Sequence, residues 1–330
     1  MTTRRVGVIG SFVWDRIHGR DSQLPGRAPV EEWGGITYAL SAFDAALPND
    51  WELVPLVKVG DDLAPRARDF LRRLRHIAPD AAPIAVPYRN NRVELVYKDD
   101  VRRSEVLTGG VPGWTWAGLA PLLKNLDALY VNLISGWELD LDTMRLLRQH
   151  FRGPIYCDLH SLVLAVREDG LRTLQPLPDD AAWCRCVDFL QVNEDEMSMM
   201  AHDPLELSAT ALASGVSALV VTLGPRGAVY FAQPSFSRLA DLDSNRAHSL
   251  SASPGPVRTA LVPATRARDA QGGDPTGCGD VWGATFFSRL LADDIITDAL
   301  NAAMLAAARN VEHRGATGLA HHLRGELSST

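Results

Sequence analysis

An aspartate stands at the start of an apolar helical pattern, directly after a glycine-rich turn. Asp280 follows residues 276–279, of sequence TGCG, and the residues after it run apolar on most sides. A helix start leaves backbone N–H groups without partners and carries partial positive charge. Because small residues let an anion approach such groups, the amides of Gly277, Cys278 and Gly279 can form a cradle for a phosphate or an oxyanion.

The carboxylate of Asp280 has two interpretations at this position. It would repel a static phosphate, but it can act as a general base that takes a proton from an attacking hydroxyl. It can equally be a helix cap that follows a glycine turn. On the residue types alone, both interpretations remain open.

Composition narrows the classes of protein. The chain has 330 residues, of which 46% are hydrophobic and 22% charged, as in ordinary soluble globular proteins. Its formal net charge is −7. Nucleic-acid binders usually carry a basic face, and nothing in the composition suggests one, so no nucleic-acid partner is expected. The arginines at 66, 68, 72, 73 and 75 fall on the polar side of an amphipathic pattern and predict a solvated helix face.

Cysteines and apolar runs indicate a cytoplasmic protein. The four cysteines show neither a C-x-x-C pair nor zinc-ligand spacing, which fits a reducing cytosol. No run approaches the ~18 apolar residues that a membrane span needs, so no membrane partner is expected. None of the three lysines is followed by Ser or Thr, which excludes a P-loop.

Short apolar runs alternate with helical patterns along the chain. Continuous runs of this length indicate strands covered on both faces, and the helical intervals indicate crossovers of a parallel sheet. The runs lie at residues 5–11, 51–60, 128–135, 154–160, 188–193 and 218–224. Two polar, turn-rich stretches, 16–33 and 83–107, interrupt the alternation and predict strands of a small flap, with a hairpin about residues 89–91.

Five motifs together resemble one known family. DPTGCGD at 274–280 resembles the D-T-x-G-A-G-D signature of the ribokinase-like, or PfkB, carbohydrate and nucleoside kinases. The others, in the family's order, are GSFVWD (10–15), WGGITYALSAF (33–43), NEDE (193–196) and VTLGPRGAVY (221–230). The resemblance implies an α/β fold: a three-layer α/β/α sandwich with a mostly parallel central sheet. It would be a single domain over 1–330, with a β-sheet lid formed by about 16–33 and 83–107.

The resemblance implies an ATP-dependent kinase that phosphorylates a hydroxyl of a sugar or nucleoside. Asp280 would be the general base, and the N–H groups of Gly277, Cys278 and Gly279 would form the anion hole. On the substrate side, the matching residues are Asp15, Gly34 and Gly35, and a carboxylate at a strand end can accept hydrogen bonds from sugar hydroxyls.

Other matching residues would bind the nucleotide and Mg²⁺. Asn193 and Glu196 match the N-x-x-E pair, which acts through Mg²⁺ and its waters. Thr222, Gly224 and Gly227 match the nucleotide-side turn, and Asn301 lies where the family places adenine. Without the resemblance, NEDE is an acidic helix start and GPRG a plain β-turn.

Several positions depart from the family pattern. Pro275 replaces a Thr in the neighbourhood that often binds a monovalent cation, so that requirement stays open. Ala39 stands at the usual Asn after the Gly-Gly pair. In the family's D-x-N-x-R segment, Asp158 is kept, His160 stands at the Asn and Leu162 at the Arg. His160 is either a substrate or phosphate contact or a packed histidine.

Two further side-chain expectations follow. Cys278 stands where Ala is usual, and a thiol at a helix N-terminus tends towards a lowered pKa. The aromatic residues Phe12, Trp14, Trp33 and Tyr38 either stack on a nucleobase or pack the lid.

The departures keep a second function open, that of a non-catalytic sugar- or nucleotide-sensing protein on the same fold. A dinucleotide-dependent α/β enzyme is a weaker third option. Relatives often dimerise through their lids, and such a homodimer also stays open.

Overall fold

Strands and helices alternate along the chain, as its apolar runs predict. The computed structural model describes residues 3–18, 29–97, 103–242, 256–268 and 273–326. The strands in these ranges are β1 (Arg4–His18), β2 (Val30–Gly35), β3 (Trp51–Gly60), β4 (Ile84–Val86), β5 (Arg92–Tyr97), β6 (Arg103–Thr108), β7 (Ala128–Asn132), β8 (Ile155–Asp158), β9 (Leu164–Val166), β10 (Arg172–Leu174), β11 (Phe189–Asn193), β12 (Ala218–Thr222), β13 (Ala228–Ala232) and β14 (Arg258–Val262). The helices there are α1 (Ile36–Ala46), α2 (Ala64–Leu71), α3 (Trp116–Leu119), α4 (Leu141–His150), α5 (Asp180–Cys184), α6 (Glu194–Ser198), α7 (Pro204–Ala213), α8 (Cys278–Leu291), α9 (Ile296–Val311) and α10 (Leu319–Arg324).

The central sheet is mostly parallel. Its strand order is β14-β13-β12-β11-β8-β7-β1-β3-β4. Strands β12 to β4 in this order run parallel, and β13 and β14 add an antiparallel edge. The carboxyl ends of the parallel strands therefore meet at one edge of the sheet, where open α/β sheets bind their ligands.

Helices cover both faces of this sheet. Helices α1, α2, α8, α9 and α10 bury their apolar sides in one core, and α3, α4, α5 and α7 bury theirs in the other. Successive side chains of a strand point to opposite faces of the sheet, so each strand contributes to both cores. Tyr130 faces the first core, whereas its neighbours Leu129 and Val131 face the second. This arrangement confirms the predicted three-layer α/β/α sandwich.

One long strand joins the central sheet to the lid. The first part of β1, up to Ser11, pairs with β3, whereas residues 12–18 pair with β2 and β5. Strand β6 completes this second sheet against β5, and Val13, Val93, Leu95 and Leu107 are in its small core. We call this sheet, β2-β1-β5-β6, the lid.

The lid differs in detail from the predicted flap. Strand β4 pairs with β3 and so belongs to the central sheet. Residues 89–91 form no hairpin turn, because Asn90 is buried and bonds instead to Gly60 N (2.9 Å) and Phe12 O (3.1 Å). The antiparallel pair is β5–β6, and residues 19–28 and 98–102 of the predicted flap lie outside the described residues.

A buried aspartate ties α1 to the C-terminal helix. The Asp44 carboxylate is fully buried, accepts a hydrogen bond from Arg324 Nη1 at 2.6 Å and another from the backbone N–H of His76 at 2.9 Å. Burial raises the pKa of Asp44, but hydrogen bonds from His76 and Arg324 outweigh it and hold the pKa below its usual value.

We expect Asp44→Asn to lower the free energy of unfolding by about 3 kcal/mol at pH 7, because it leaves Arg324 without its buried counter-charge. A carboxylate with a depressed pKa stabilises the fold above its unfolded-state pKa and loses that effect as pH falls. The difference from wild type in urea denaturation should therefore shrink below about pH 4. Asp69→Asn, which removes an exposed partner of Arg72, is the control and should change stability by less than about 0.5 kcal/mol.

Candidate active site

Predicted catalytic and substrate residues meet in one narrow cleft between the lid and the N-terminus of α8. Asp280, Gly277, Asp15, Gly35 and His160 all line it, and its volume is about 60 Å³. Lid residues Val93 and Leu95 supply an apolar wall. Asp280 is buried and borders the cleft, so its carboxylate lies neither in a sealed core nor in bulk solvent.

The glycine turn before α8 is built around the ring of Tyr38. Gly277 is the N-cap residue of α8 and has a left-handed backbone, with φ 76°. A Cβ at this position would lie 2.2 Å from the Tyr38 ring, so only glycine fits. Since Gly277 holds the N-cap, Asp280 lies in the first turn and is not the cap.

The turn leaves two of the three predicted anion-hole donors open. Within the described residues, the N–H groups of Gly277 and Gly279 donate to no other protein atom. The N–H of Cys278, in contrast, donates to Pro275 O at 3.1 Å. The N–H groups of Gly277 and Gly279 are therefore open within the described residues, whereas the Cys278 N–H closes the turn. The anion hole of three donors stays a prediction.

Two side chains hold this turn from either side. Asp274 Oδ1 accepts a hydrogen bond from Thr276 N at 2.9 Å, and Asn310 Nδ2 donates to Thr276 O at 2.9 Å. Sequence reasoning missed Asn310, which is buried in the alanine-rich helix α9 and belongs to no motif.

Asp280 is oriented by an asparagine from the central sheet. Asn132, the last residue of β7, donates from Nδ2 to Asp280 Oδ1 at 2.6 Å. His160 Nε2 lies 4.0 Å from the same oxygen. This hydrogen bond fixes the direction in which the carboxylate of Asp280 points.

Three acids lie near one another at the ends of the parallel strands. Burial raises the pKa of Asp158 well above its usual value, with further contributions from the charges of Glu196 and Asp280. Burial also raises the pKa of Glu196, and Asp280 adds to this effect. Burial is the main cause of both shifts, and repulsion among the three carboxylates adds to it.

Asn193 and Glu196 bond to each other in a capping box at the start of α6. Glu196 N donates to Asn193 Oδ1 at 2.9 Å, and Asn193 N donates to Glu196 Oε2 at 2.8 Å. Among the described residues, no group of three His, Cys, Asp or Glu side chains is arranged to hold a metal ion directly. The acidic surroundings fit a hydrated Mg²⁺ held through its waters, as the N-x-x-E resemblance implies.

The predicted nucleotide turn lies beside this capping box. Thr222 ends β12 and is the register partner of Asn193 on β11. Gly224 has φ 55° and a Cβ there would meet no atom within 4 Å, so this glycine faces open space. Gly227 has φ 102° and a Cβ would lie 2.0 Å from Val262 O, so this glycine is needed for packing against β14. Arg226 pairs with Glu194 and ties the turn to α6.

Asn301 lies on the exposed side of α9. Its predicted place near adenine stays a prediction.

Glycine on the substrate side makes room for a carboxylate. A Cβ at Gly34 would lie 1.8 Å from Asp15 Oδ2, and the strands that carry the two residues pair in the lid. Gly35 has φ 59° and is the N-cap residue of α1. Asp15 thereby lies buried at the wall of the cleft that it shares with Asp280.

Histidine at position 160 has an unusual backbone. Its φ is 42°, a left-handed conformation that costs strain in a residue other than glycine, and its Nδ1 lies 2.7 Å from Ser161 Oγ. The half-exposed ring lines the cleft, which favours a substrate contact over a packed side chain.

An arginine and a glutamate of the cleft wall were missed by sequence reasoning. Arg172 Nη2 donates to Ile134 O at 3.0 Å, and its Nη1 lies 3.5 Å from Glu105 Oε2. Both side chains line the cleft. They come from β10 and β6, and no local pattern in the sequence connects these strands.

The four aromatic residues separate into two groups. Trp33 contacts both Phe12 and Trp14 edge to face, with ring centroids 5.1 Å apart in each pair. Phe12 also meets Phe70 of α2, so these three rings pack the base of the lid. Only Tyr38 borders the cleft.

The thiol of Cys278 faces α9 and does not have the predicted lowered pKa. Its Sγ accepts a hydrogen bond from Asn310 Nδ2 at 3.3 Å and lies 3.6 Å from Ala307 O. Burial raises the pKa of the thiol to about 11. The prediction of a lowered pKa is wrong because desolvation outweighs the effect of the helix N-terminus.

We expect iodoacetamide to modify Cys278 slowly at pH 7, since only the thiolate reacts and the thiol is protonated there. The rate, followed by mass spectrometry, should rise about tenfold per pH unit between pH 7 and 9. An unhindered cysteine peptide in the same tube, with pKa about 8.5, is the control. A protein thiol that reacts at pH 7 as fast as this peptide would contradict the assignment.

Among solved structures, the fold is similar to that of several kinases. Thermotoga maritima ribokinase matches with a TM-score of 0.68 at 15% identity, over 98% of each chain. Burkholderia thailandensis nucleoside kinase in complex with inosine matches with a TM-score of 0.67 at 18% identity, over 96% of this chain and 94% of that one. Cryptococcus neoformans ribokinase in complex with ADP matches with a TM-score of 0.60 at 19% identity, over 98% and 100%.

Sheet order, lid and cleft define a ribokinase-like α/β protein. Residues 169–322 match the family model described as pfkB family carbohydrate kinase. Over these residues the chain is similar to pfkB family carbohydrate kinases, and its fold is ribokinase-like. No curated protein sequence matches the chain. In the described ranges, no helix has the length and apolar character to cross a membrane.

Proposed function

We propose that this protein is an ATP-dependent kinase that transfers the γ-phosphoryl group to a hydroxyl of a sugar or nucleoside. One observation carries the proposal: the Asp280 carboxylate borders the cleft that also holds Asp15, beside the open N–H groups of Gly277 and Gly279. A proton acceptor, an acceptor-binding carboxylate and an anion site are the parts that this transfer requires.

The reaction uses these groups in one displacement. Asp280 takes the proton as the acceptor oxygen forms a bond to the γ-phosphorus. The bond between that phosphorus and the β,γ-bridging oxygen breaks, and ADP leaves with the electron pair. The N–H groups of Gly277 and Gly279 donate to the equatorial oxygens, where negative charge concentrates. Asn132 keeps the carboxylate directed at the acceptor.

On the donor side, Thr222 and Gly224 lie at the end of β12 where the nucleotide would bind, and Asn301 would lie near adenine. Asn193 and Glu196 would hold Mg²⁺ through its waters, with Asp158 adding negative charge. When bound, Mg²⁺ neutralises charge on the β- and γ-phosphates.

On the acceptor side, Asp15 would receive hydrogen bonds from substrate hydroxyls, and His160 lies beside Asp280. Val93 and Leu95 of the lid form one wall of the cleft, so the lid would lie against a bound acceptor. There it would exclude water, which competes with the acceptor for the phosphoryl group.

A panel of sugars, polyols and nucleosides, assayed with Mg-ATP and with pyrophosphate as alternative donor, tests the proposal. We expect one acceptor class to be phosphorylated with Mg-ATP, and the product identified by mass spectrometry. Tight binding of a panel member with no turnover from either donor would contradict the kinase and support the sensing function.

A further inference from the structure

Three neighbouring strands contain the same sequence pattern, an aromatic residue followed two positions later by a polar one. Strand β7 ends Tyr-x-Asn (130–132), β8 contains Tyr-x-Asp (156–158) and β11 contains Phe-x-Gln (189–191). The strands are in register, so the polar residues Asn132, Asp158 and Gln191 are direct neighbours. We call these three residues the polar row. Side chains two apart share a face, so the polar row and the aromatic residues face α8 together.

The polar row contacts the first turn of α8 at two points. Asn132 donates to the Asp280 carboxylate at 2.6 Å. Gln191 Nε2 donates to Gly279 O at 3.1 Å and to Asp158 Oδ2 at 3.1 Å. Gln191 is 3% exposed, and its Oε1 accepts a hydrogen bond from the Tyr156 hydroxyl, so its amide is fully used.

Helix α8 contains a glycine where this network needs space. Glycine inside a helix costs about 1 kcal/mol relative to alanine. A Cβ at Gly283 would lie 2.3 Å from Gln191 Oε1 and 2.9 Å from the Tyr130 hydroxyl. Glycine at position 283 therefore lowers the stability of the helix but leaves space for the Gln191 amide beneath it.

We propose that Gln191 is a positioning residue for phosphoryl transfer. The carbonyl that it holds belongs to the peptide joining Gly279 to Asp280. Gln191 therefore fixes the backbone from which the Asp280 side chain projects, whereas Asn132 fixes the far end of that side chain. Without this bond the first turn of α8 shifts, and the base and the Gly279 N–H lose their common alignment on the phosphoryl group. The inference rests on the proposed kinase function.

The test compares two buried glutamines changed to methionine, which has a similar size and no hydrogen-bond donor. Gln233 is also buried and also donates to a backbone carbonyl, Val216 O at 3.0 Å, but this carbonyl does not belong to α8. We expect Gln191→Met to lower kcat about 100-fold with KM for Mg-ATP within about twofold of wild type. Gln233→Met should keep wild-type kcat.

Two further measurements distinguish a loss of stability from a loss of positioning. Both methionine variants should lose similar amounts of thermal stability, because each loses a buried hydrogen bond. Gln191→Leu also lacks a hydrogen-bond donor, so its kcat should fall as in Gln191→Met. Wild-type kcat in Gln191→Met or Gln191→Leu, or an equal loss in Gln233→Met, would overturn the proposal.

An NMR titration separates this inference from the proposed function. With ¹⁵N-glycine labelling, inorganic phosphate should shift the amide signals of Gly277 and Gly279 in wild type and in Gln233→Met, and shift them much less in Gln191→Met. If wild type phosphorylates no acceptor, the kinase function fails and this titration alone decides the inference. Equal shifts in all three proteins, or none in wild type, would refute the role of Gln191.

Discussion

Changing Asp280 to asparagine is expected to lower kcat about a thousandfold and leave the affinity for Mg-ATP within about twofold. Asparagine keeps the size of the side chain, so the fold and the cleft remain. It cannot accept the proton of the acceptor hydroxyl, so the bond to phosphorus must form without a base. Steady-state kinetics give kcat, and calorimetric titration with Mg-ATP gives the affinity.

A matched control lies in the next helix. Asp298 occupies the third position of α9, as Asp280 does in α8, but it is exposed and outside the cleft. Asp298→Asn removes the same charge from the same helix position and should leave kcat unchanged. If Asp280→Asn kept more than about a tenth of wild-type kcat, Asp280 would not be the base.

Gly277→Ala has the second large expected effect. The residue has φ 76°, and the new Cβ would lie 2.2 Å from the Tyr38 ring, so the turn must move. Loss of one anion-hole donor typically costs 100- to 1000-fold in kcat, and we expect a loss of about that size. Alanine at positive φ should also lower the free energy of unfolding by more than about 1 kcal/mol, as measured by urea denaturation.

Alanine variants of two other glycines distinguish backbone strain from a loss of the anion site. Gly215 has φ 104° and no atom within 4 Å of a new Cβ, so Gly215→Ala should lose stability but not kcat. At Gly279 the nearest atom to a new Cβ, Gln191 Nε2, is 3.8 Å away, so Gly279→Ala should fold normally and keep kcat within about tenfold. Equal losses of kcat in Gly215→Ala and Gly277→Ala would show that the Gly277 effect is backbone strain.

The parts of the site that could be predicted are those encoded over a few consecutive residues. Gly277 and Asp280 belong to one turn and one helix start, so their spacing alone predicts an anion site with an acid beside it. Asp15 stands in a short motif on one strand. Structure then brings these residues into one cleft.

Residues that depend on pairing between distant strands could not be predicted. Asn132 and Gln191 lie on β7 and β11, and their shared contact with α8 depends on a register that neither strand encodes. The hairpin about residues 89–91 failed as a prediction for a related reason: the buried Asn90 bonds to Gly60 and Phe12, which are distant in sequence. Likewise, only the packing of α9 shows that the Cys278 thiol is desolvated.

The continuity of β1 has a consequence for how the two carboxylates respond to a ligand. Asp15 lies on the part of β1 that pairs within the lid, whereas Asp280 begins a helix packed on the central sheet. The distance between them therefore varies with the bend of a single strand near Ser11 and Phe12. An acceptor that contacts both carboxylates would connect the lid to the central sheet. Its binding free energy would then also determine how far β1 is bent.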